Sequence, residues 1–167
     1  MMVEPANRPL TADSRMHEGP GIPVHPPVLY LAALLIGVGL DYLWPLRLVS
    51  GRWGVVAGIV LIAAGIAIMP PVLGRFRRAG TTFDVRKPAS ALIVDGPYRF
   101  SRNPAYIALT LWYLGIGLIL GRAWVLLLLA PLLVVMDRLI VPREERHLKA
   151  RFGEQYVRYK AAVRRWL

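Results

Sequence analysis

Four runs of apolar residues alternate with stretches that hold nearly all of the charge. Val28 to Trp44 is interrupted only by Asp41, and Trp53 to Leu73 carries no charge over 21 residues. Pro104 to Gly121 is uncharged over 18 residues and Ala123 to Met136 is uncharged too, with Arg122 alone between them. As one helix, Pro104 to Met136 would be about 50 Å long at 1.5 Å per residue, whereas a bilayer core is about 30 Å thick. The pattern therefore predicts a helical hairpin turning near Gly121-Arg122, with the fourth run continuing through Leu139-Ile140-Val141. The expected fold is all-α and polytopic. It has four transmembrane helices at about 28–46, 53–73, 104–121 and 123–141, the last two forming a hairpin, and an amphipathic helical tail over 142–167.

Proline and glycine punctuate these runs. Pro70-Pro71 must bend or stop the second helix, because neither residue donates a backbone hydrogen bond. Gly54 and Gly58 in the second run, and Gly117 and Gly121 in the third, have the G-x-x-x-G spacing that lets helices approach closely in lipid. Tight packing is the favoured reading of these glycines; room for a bulky cofactor beside Gly115 and Gly117 is the secondary one. Residues 1–27 hold six prolines and no apolar stretch, which predicts a disordered leader and excludes a signal peptide there. In the tail, Pro142 suits a first helical position and Glu144 and Glu145 a first turn, where the helix dipole favours carboxylates. Gly153 reads as a stop before a second short helix through Tyr156 and Tyr159.

Composition agrees with a membrane protein: 56% of residues are apolar, with five Trp and seven Tyr. The absence of cysteine excludes disulfides, a thiolate zinc site and a thiol nucleophile. A net charge of +11 invites a nucleic-acid reading, but the charges sit beside the apolar runs. Arg75, Arg77, Arg78, Arg86, Lys87, Arg99 and Arg102 lie between the second and third runs. Arg138, Arg143, Arg146, Lys149, Arg151, Arg158, Lys160, Arg164 and Arg165 follow the fourth, against only Arg47, Arg52 and Arg122 on the other side. By the positive-inside rule both termini are cytoplasmic, and most of these arginines need only contact anionic lipid.

Two polar clusters flank the hairpin on that side. One is Tyr98, Arg99, Arg102, Asn103 and Tyr106; the other is Arg138, Arg143, Glu144, Glu145, His147, Tyr156 and Tyr159. The hairpin returns the second cluster to the first, where together they could hold a charged, water-soluble cofactor against a lipid-soluble substrate. Each member also has a plainer reading. Glu145 and Lys149 stand at i and i+4 and suit a surface ion pair, Glu144 suits a helix N-terminus, and the tyrosines suit an interfacial belt. Tyr113, deeper in its run, reads as packing, and His147 as a surface residue. Asp41 is an ionisable residue in a span and so a functional candidate, although Trp44 beside it marks the interface. Asp137 beside Arg138 reads as interfacial charge compensation. No His and carboxylate set has metal-ligand spacing, and no phosphate-binding glycine motif occurs.

Taken together, "GPYRFSRNPAYIAL" (Gly96 to Leu109), the hairpin after it and "EERHLKARFGEQYVRY" (Glu144 to Tyr159) resemble a known group. They are similar to the integral-membrane methyltransferases related to isoprenylcysteine carboxyl methyltransferase and phosphatidylethanolamine N-methyltransferase. The resemblance covers about the last seventy residues. It implies S-adenosylmethionine-dependent methyl transfer to a lipophilic or lipid-modified acceptor (carboxylate, amine or thiol) in a single membrane-embedded domain over 28–167. It also implies that Tyr98, Arg102, Asn103, Pro104, Tyr106, Glu144 and Glu145 form the cofactor pocket. Arg138, Arg143 and Glu145 are then the candidates for acting on the acceptor, with membrane lipids as partners and neither metal nor nucleic acid required. Asn103 stands where the carboxyl methyltransferases usually show His; an amide hydrogen-bonds but does not titrate near neutrality, so no general-base role belongs there. Asn before Pro is more like the phospholipid N-methyltransferases, and Ala108 replaces a frequent Gly. Two other readings compete: a sterol-reductase-like NADPH enzyme, which shares a similar C-terminal bundle, and a non-catalytic scaffold binding anionic lipid.

Overall fold

The computed structural model describes residues 21, 24–47, 51–81 and 89–167, and among them every regular element is helical. Helix α1 spans Pro26–Leu43, α2 Gly51–Arg78, α3 Pro104–Leu120 and α4 Ala123–Val135. A wide π turn at Met136–Ile140 carries α4 without a break into α5 (Val141–Phe152), and α6 (Glu154–Ala162) follows. The expected leader lies largely outside the described residues.

Helices α1, α2 and the continuous Ala123–Phe152 rod are long and apolar enough to cross a membrane; α3, at 17 residues, is a shorter apolar helix. Most of the apolar surface of α1 and α2 faces outward, as at Leu31, Leu35, Ile59 and Val60, where lipid rather than protein is the natural neighbour. Helix α3 packs most extensively on α2 and also touches α1 and α4. It is apolar on every side, the mark of a helix enclosed by others. Around it Tyr30, Tyr106, Tyr113, Val125, Leu129, Leu132 and Met136 form the core, with Tyr30 and Tyr113 meeting edge to face at 6.1 Å.

The hairpin turns where expected. Gly121 ends α3 in the left-handed region (φ 61°), and α4 starts two residues later. Asp41, buried near the end of α1, accepts a hydrogen bond at 2.6 Å from Arg122 Nη1 and another at 3.1 Å from the Leu46 N–H. Asp41 therefore fastens the first connection to the hairpin tip and serves structure. The proline pair does not stop α2. Two backbone hydrogen bonds are lost at Pro70-Pro71, yet the helix continues to Arg78 because Val72 is fully buried beyond the pair and Phe76 packs on Tyr98. At 28 residues, about 42 Å, α2 outreaches a bilayer core and carries Arg75, Arg77 and Arg78 past it.

The glycines pack helices, but across different partners from those the spacing picks out. A Cβ on Gly58 would fall 2.6 Å from the Gly115 carbonyl oxygen, and one on Gly115 equally near that of Gly58. Gly117 lies against Val125 and Leu126, so this part of α3 is filled by helix contacts.

Candidate functional site

The chain from Asp95 to Asn103 is held from two sides. Gly96 takes a positive φ (60°) and starts a short 3₁₀ turn, Gly96–Arg99, while Asp95 pairs with Arg75 at the end of α2. Ser101 Oγ then accepts the Asn103 N–H at 3.1 Å, and Pro104 starts α3 at the position where a missing N–H costs nothing. Tyr98, Arg102, Asn103 and Tyr106 consequently face α5 and α6.

Between them lies a cavity of about 90 Å³. Tyr98, Arg102, Asn103, Glu144, Glu145, Leu148, Tyr156 and Tyr159 line it, together with Phe76 of α2 and Leu92 and Ile93 of the segment before the 3₁₀ turn. The two polar clusters thus converge. Tyr106 donates its hydroxyl to Glu144 Oε1 across 38 residues of sequence, and Tyr159 donates to the Tyr98 carbonyl at 2.8 Å. Among the described residues no group of His, Cys, Asp and Glu is arranged to hold a metal.

The adjacent glutamates have different surroundings. Glu145 is buried and saturated by cations. Arg102 Nη1 is 2.9 Å away, Lys160 Nζ 2.8 Å, and Arg165 approaches with Nε at 3.0 Å and Nη2 at 3.2 Å. Burial pushes its carboxyl up, but the hydrogen bonds from Arg165 and Lys160 and the Arg102 charge outweigh it and hold the group below its ordinary value. The surface pair with Lys149 expected from helical spacing does not form: Glu145 turns inward and Lys149 is exposed. Among the described residues no cation stands against Glu144. Burial pushes its carboxyl up to about 7, opposed by the Tyr106 hydrogen bond and assisted by the neighbouring Glu145 charge.

Asn103 lines the cavity, yet its amide Nδ2–H is engaged by the Arg165 carbonyl at 2.9 Å. Arg102 has its Nε buried with no hydrogen-bond partner among the described residues. Arg138 and Arg143 do not reach the cavity. Arg143 hydrogen-bonds back to the Leu139 carbonyl, and Arg138 is 80% exposed beside Asp137. Arg138 instead borders a second hollow, a groove of about 510 Å³ between α3 and α4. Ile107, Thr110, Leu111, Leu133 and Val134 line its apolar walls, and Asp137, Trp166 and Leu167 its end. His147 is half-buried rather than a surface residue, and burial lowers its ring pKa.

Residues 163–167, expected to belong to the amphipathic helical tail, are not helical, because they leave α6 at Ala162 and return to the start of α3. The Arg164 carbonyl accepts the Arg102 N–H at 3.0 Å and the Arg165 carbonyl accepts Ser101 Oγ at 3.2 Å. Arg165 and Lys160 are thus site residues that the sequence did not single out, because two more cations in an arginine-rich tail carry no local signal.

A family model described as phospholipid methyltransferase matches residues 53–155. An uncharacterised protein of Haemophilus influenzae is 39% identical over 62 residues, covering 37% of this chain and 98% of that protein. Protein-S-isoprenylcysteine O-methyltransferase of Schizosaccharomyces pombe is 32% identical over 72 residues, covering 43% of this chain but 30% of the yeast enzyme. No solved structure matches.

Proposed function

The chain belongs to the phospholipid methyltransferase family, and from that premise we propose that it is an S-adenosylmethionine-dependent methyltransferase acting on a lipophilic or lipid-modified acceptor. The observation that carries this reading is the pair of unlike groups in the cavity: among the described residues, the buried Arg102 Nε has no hydrogen-bond partner and Glu144 has no cation. A cofactor with an amino-acid end suits both, its carboxylate meeting the guanidinium and its ammonium the glutamate. Aromatic side chains at Phe76, Tyr98, Tyr156 and Tyr159 line the same cavity and suit a positively charged sulfur; at about 90 Å³ it takes the amino-acid end alone, so seating the flat base as well would require it to widen.

When bound, S-adenosylmethionine would supply an activated methyl group; such a transfer needs alignment and a dry site more than acid–base machinery. Arg102 and Glu144 fix the two ends of the amino-acid group, Tyr106 orients Glu144, and Pro104 sets the start of α3 beneath them. Leu92, Ile93 and Leu148 keep water out. Asn103 holds the chain that carries Arg102. The acceptor's apolar part lies along the groove between α3 and α4, where Arg138 at the rim is available to an anionic acceptor group. Four spans are proposed, α3 completing its crossing between α2 and α4, with both termini and the cavity on the cytoplasmic side.

Calorimetric titration of the detergent-purified protein with S-adenosylmethionine and with NADPH tests the proposal. The expected result is binding of the first only, weakened at least tenfold by Glu144→Gln through loss of a charge-assisted contact. NADPH binding without S-adenosylmethionine binding would favour the reductase reading and overturn this one.

A further inference from the structure

Asp137 and Glu145 are eight residues apart on one continuous helical rod. In a regular α-helix, turning about 100° per residue, they would point about 80° away from one another. The π turn at Met136–Ile140 accommodates one extra residue and removes about one residue's rotation, which brings the two carboxylates onto one face. Arg165 bridges them. Its Nη1 is 3.0 Å from Asp137 Oδ1, and its Nε and Nη2 bind the two oxygens of Glu145. A planar guanidinium spans two carboxylates in this way; a lysine ammonium is a point charge and does not. The Arg165 carbonyl also accepts both Asn103 Nδ2–H and Ser101 Oγ–H. One residue therefore ties the helix beyond the hairpin to the loop that opens α3, the two elements whose separation defines the cavity.

We propose that Arg165 is a positioning residue of the cavity, acting through Glu145 and Asn103 to keep Glu144 and Arg102 aimed at the ligand. The ligand it serves rests on the methyltransferase reading above; the clamp itself does not. Of the three cations on Glu145, Arg165 is the one that also reaches Asp137. Trp166 reinforces the clamp, donating Nε1–H to the same Asp137 oxygen at 3.0 Å.

The test uses the full chain in detergent, with S-adenosylhomocysteine as the calorimetric probe and a ligand-free readout beside it. In the wild-type background Arg165→Gln weakens probe affinity about tenfold, as expected for directly coupled residues; in the Glu145→Gln background the same substitution adds less than about twofold. Arg165→Lys recovers only part of the loss, and it carries the test should Arg165→Gln fail to fold. The ligand-free readout is the titration of Glu144 followed by carboxyl-carbon NMR. Among the described residues the groups facing Glu144 are Tyr98, Tyr106 and Glu145. Removing the Arg165 charge from Glu145 raises the Glu144 midpoint. Equal losses in both backgrounds with an unmoved Glu144 midpoint would make Arg165 ordinary fold support and overturn the proposal. A wild-type protein that ignores the probe while the Glu144 midpoint still moves would sink the cofactor reading and leave the clamp standing.

Discussion

Two neighbouring glutamates divide the labour of the cavity because a helix turns about 100° between them. Glu145 meets three cations and stays ionised; Glu144 is buried, and burial holds its proton up to about neutrality against the pull of the Tyr106 hydrogen bond. That difference has a pH signature. The folded carboxyl of Glu144 titrates at about 7, whereas the unfolded one releases its proton near 4.5. Between these values the folded state binds more protons, so the Glu144 contribution to stability falls as pH rises through the window and is gone above it. Glu144→Gln removes this slope. Thermal unfolding in detergent should find the variant gaining on wild type at pH 8 relative to pH 5. A wild-type minus variant difference that stays flat with pH would refute the assignment.

At the scale of elements, packing rather than propensity decides which expectations held. The apolar runs, the turn at Gly121 and the break at Gly153 were legible because each depends on local chemistry: run length, a left-handed φ, a helix stop. The convergence of the Tyr98–Tyr106 and Glu144–Tyr159 blocks was legible too, since a hairpin of known length must return them to one level. The continuation of α2 past Pro70-Pro71 was not, because burial of Val72 is a tertiary gain that the sequence does not display. Nor was the role of Arg165: its register against Asp137 depends on the π turn, which no residue pattern announced. The contact of α2 with α3 gives the sharpest packing prediction. Gly58→Ala forces a methyl group onto the Gly115 backbone and should destabilise by about 1–3 kcal/mol in detergent unfolding. Gly39 has nothing within 4 Å of its missing Cβ, so Gly39→Ala on α1 should cost no such strain penalty. Equal effects at the two sites would mean that the helix approach is looser than described.

Across the whole molecule, positive charge and the cavity share one end of the bundle. The α2 end with Arg75, Arg77 and Arg78, the loop with Arg99 and Arg102, and α5, α6 and the residues after them as far as Arg165 gather at one end of the bundle with the cavity among them. The Asp41–Arg122 pair and the exposed Trp44 and Trp53 mark the opposite end. The proposed cofactor, drawn from the cytoplasm, would require the first end to face inward, and the excess of arginine and lysine there predicts the same orientation. The chain contains no cysteine, so single cysteines report on sidedness without any background removal. Gln155→Cys on exposed α6 should react with a membrane-impermeant maleimide only after the membrane is opened, whereas Tyr42→Cys, exposed at the far end of α1, should react in intact cells. Labelling of both positions from the same side would break the even span count, because α3 would then fail to complete its crossing. Labelling in the reverse order would keep the bundle but turn the cavity outward, away from any cytoplasmic supply of methyl donor.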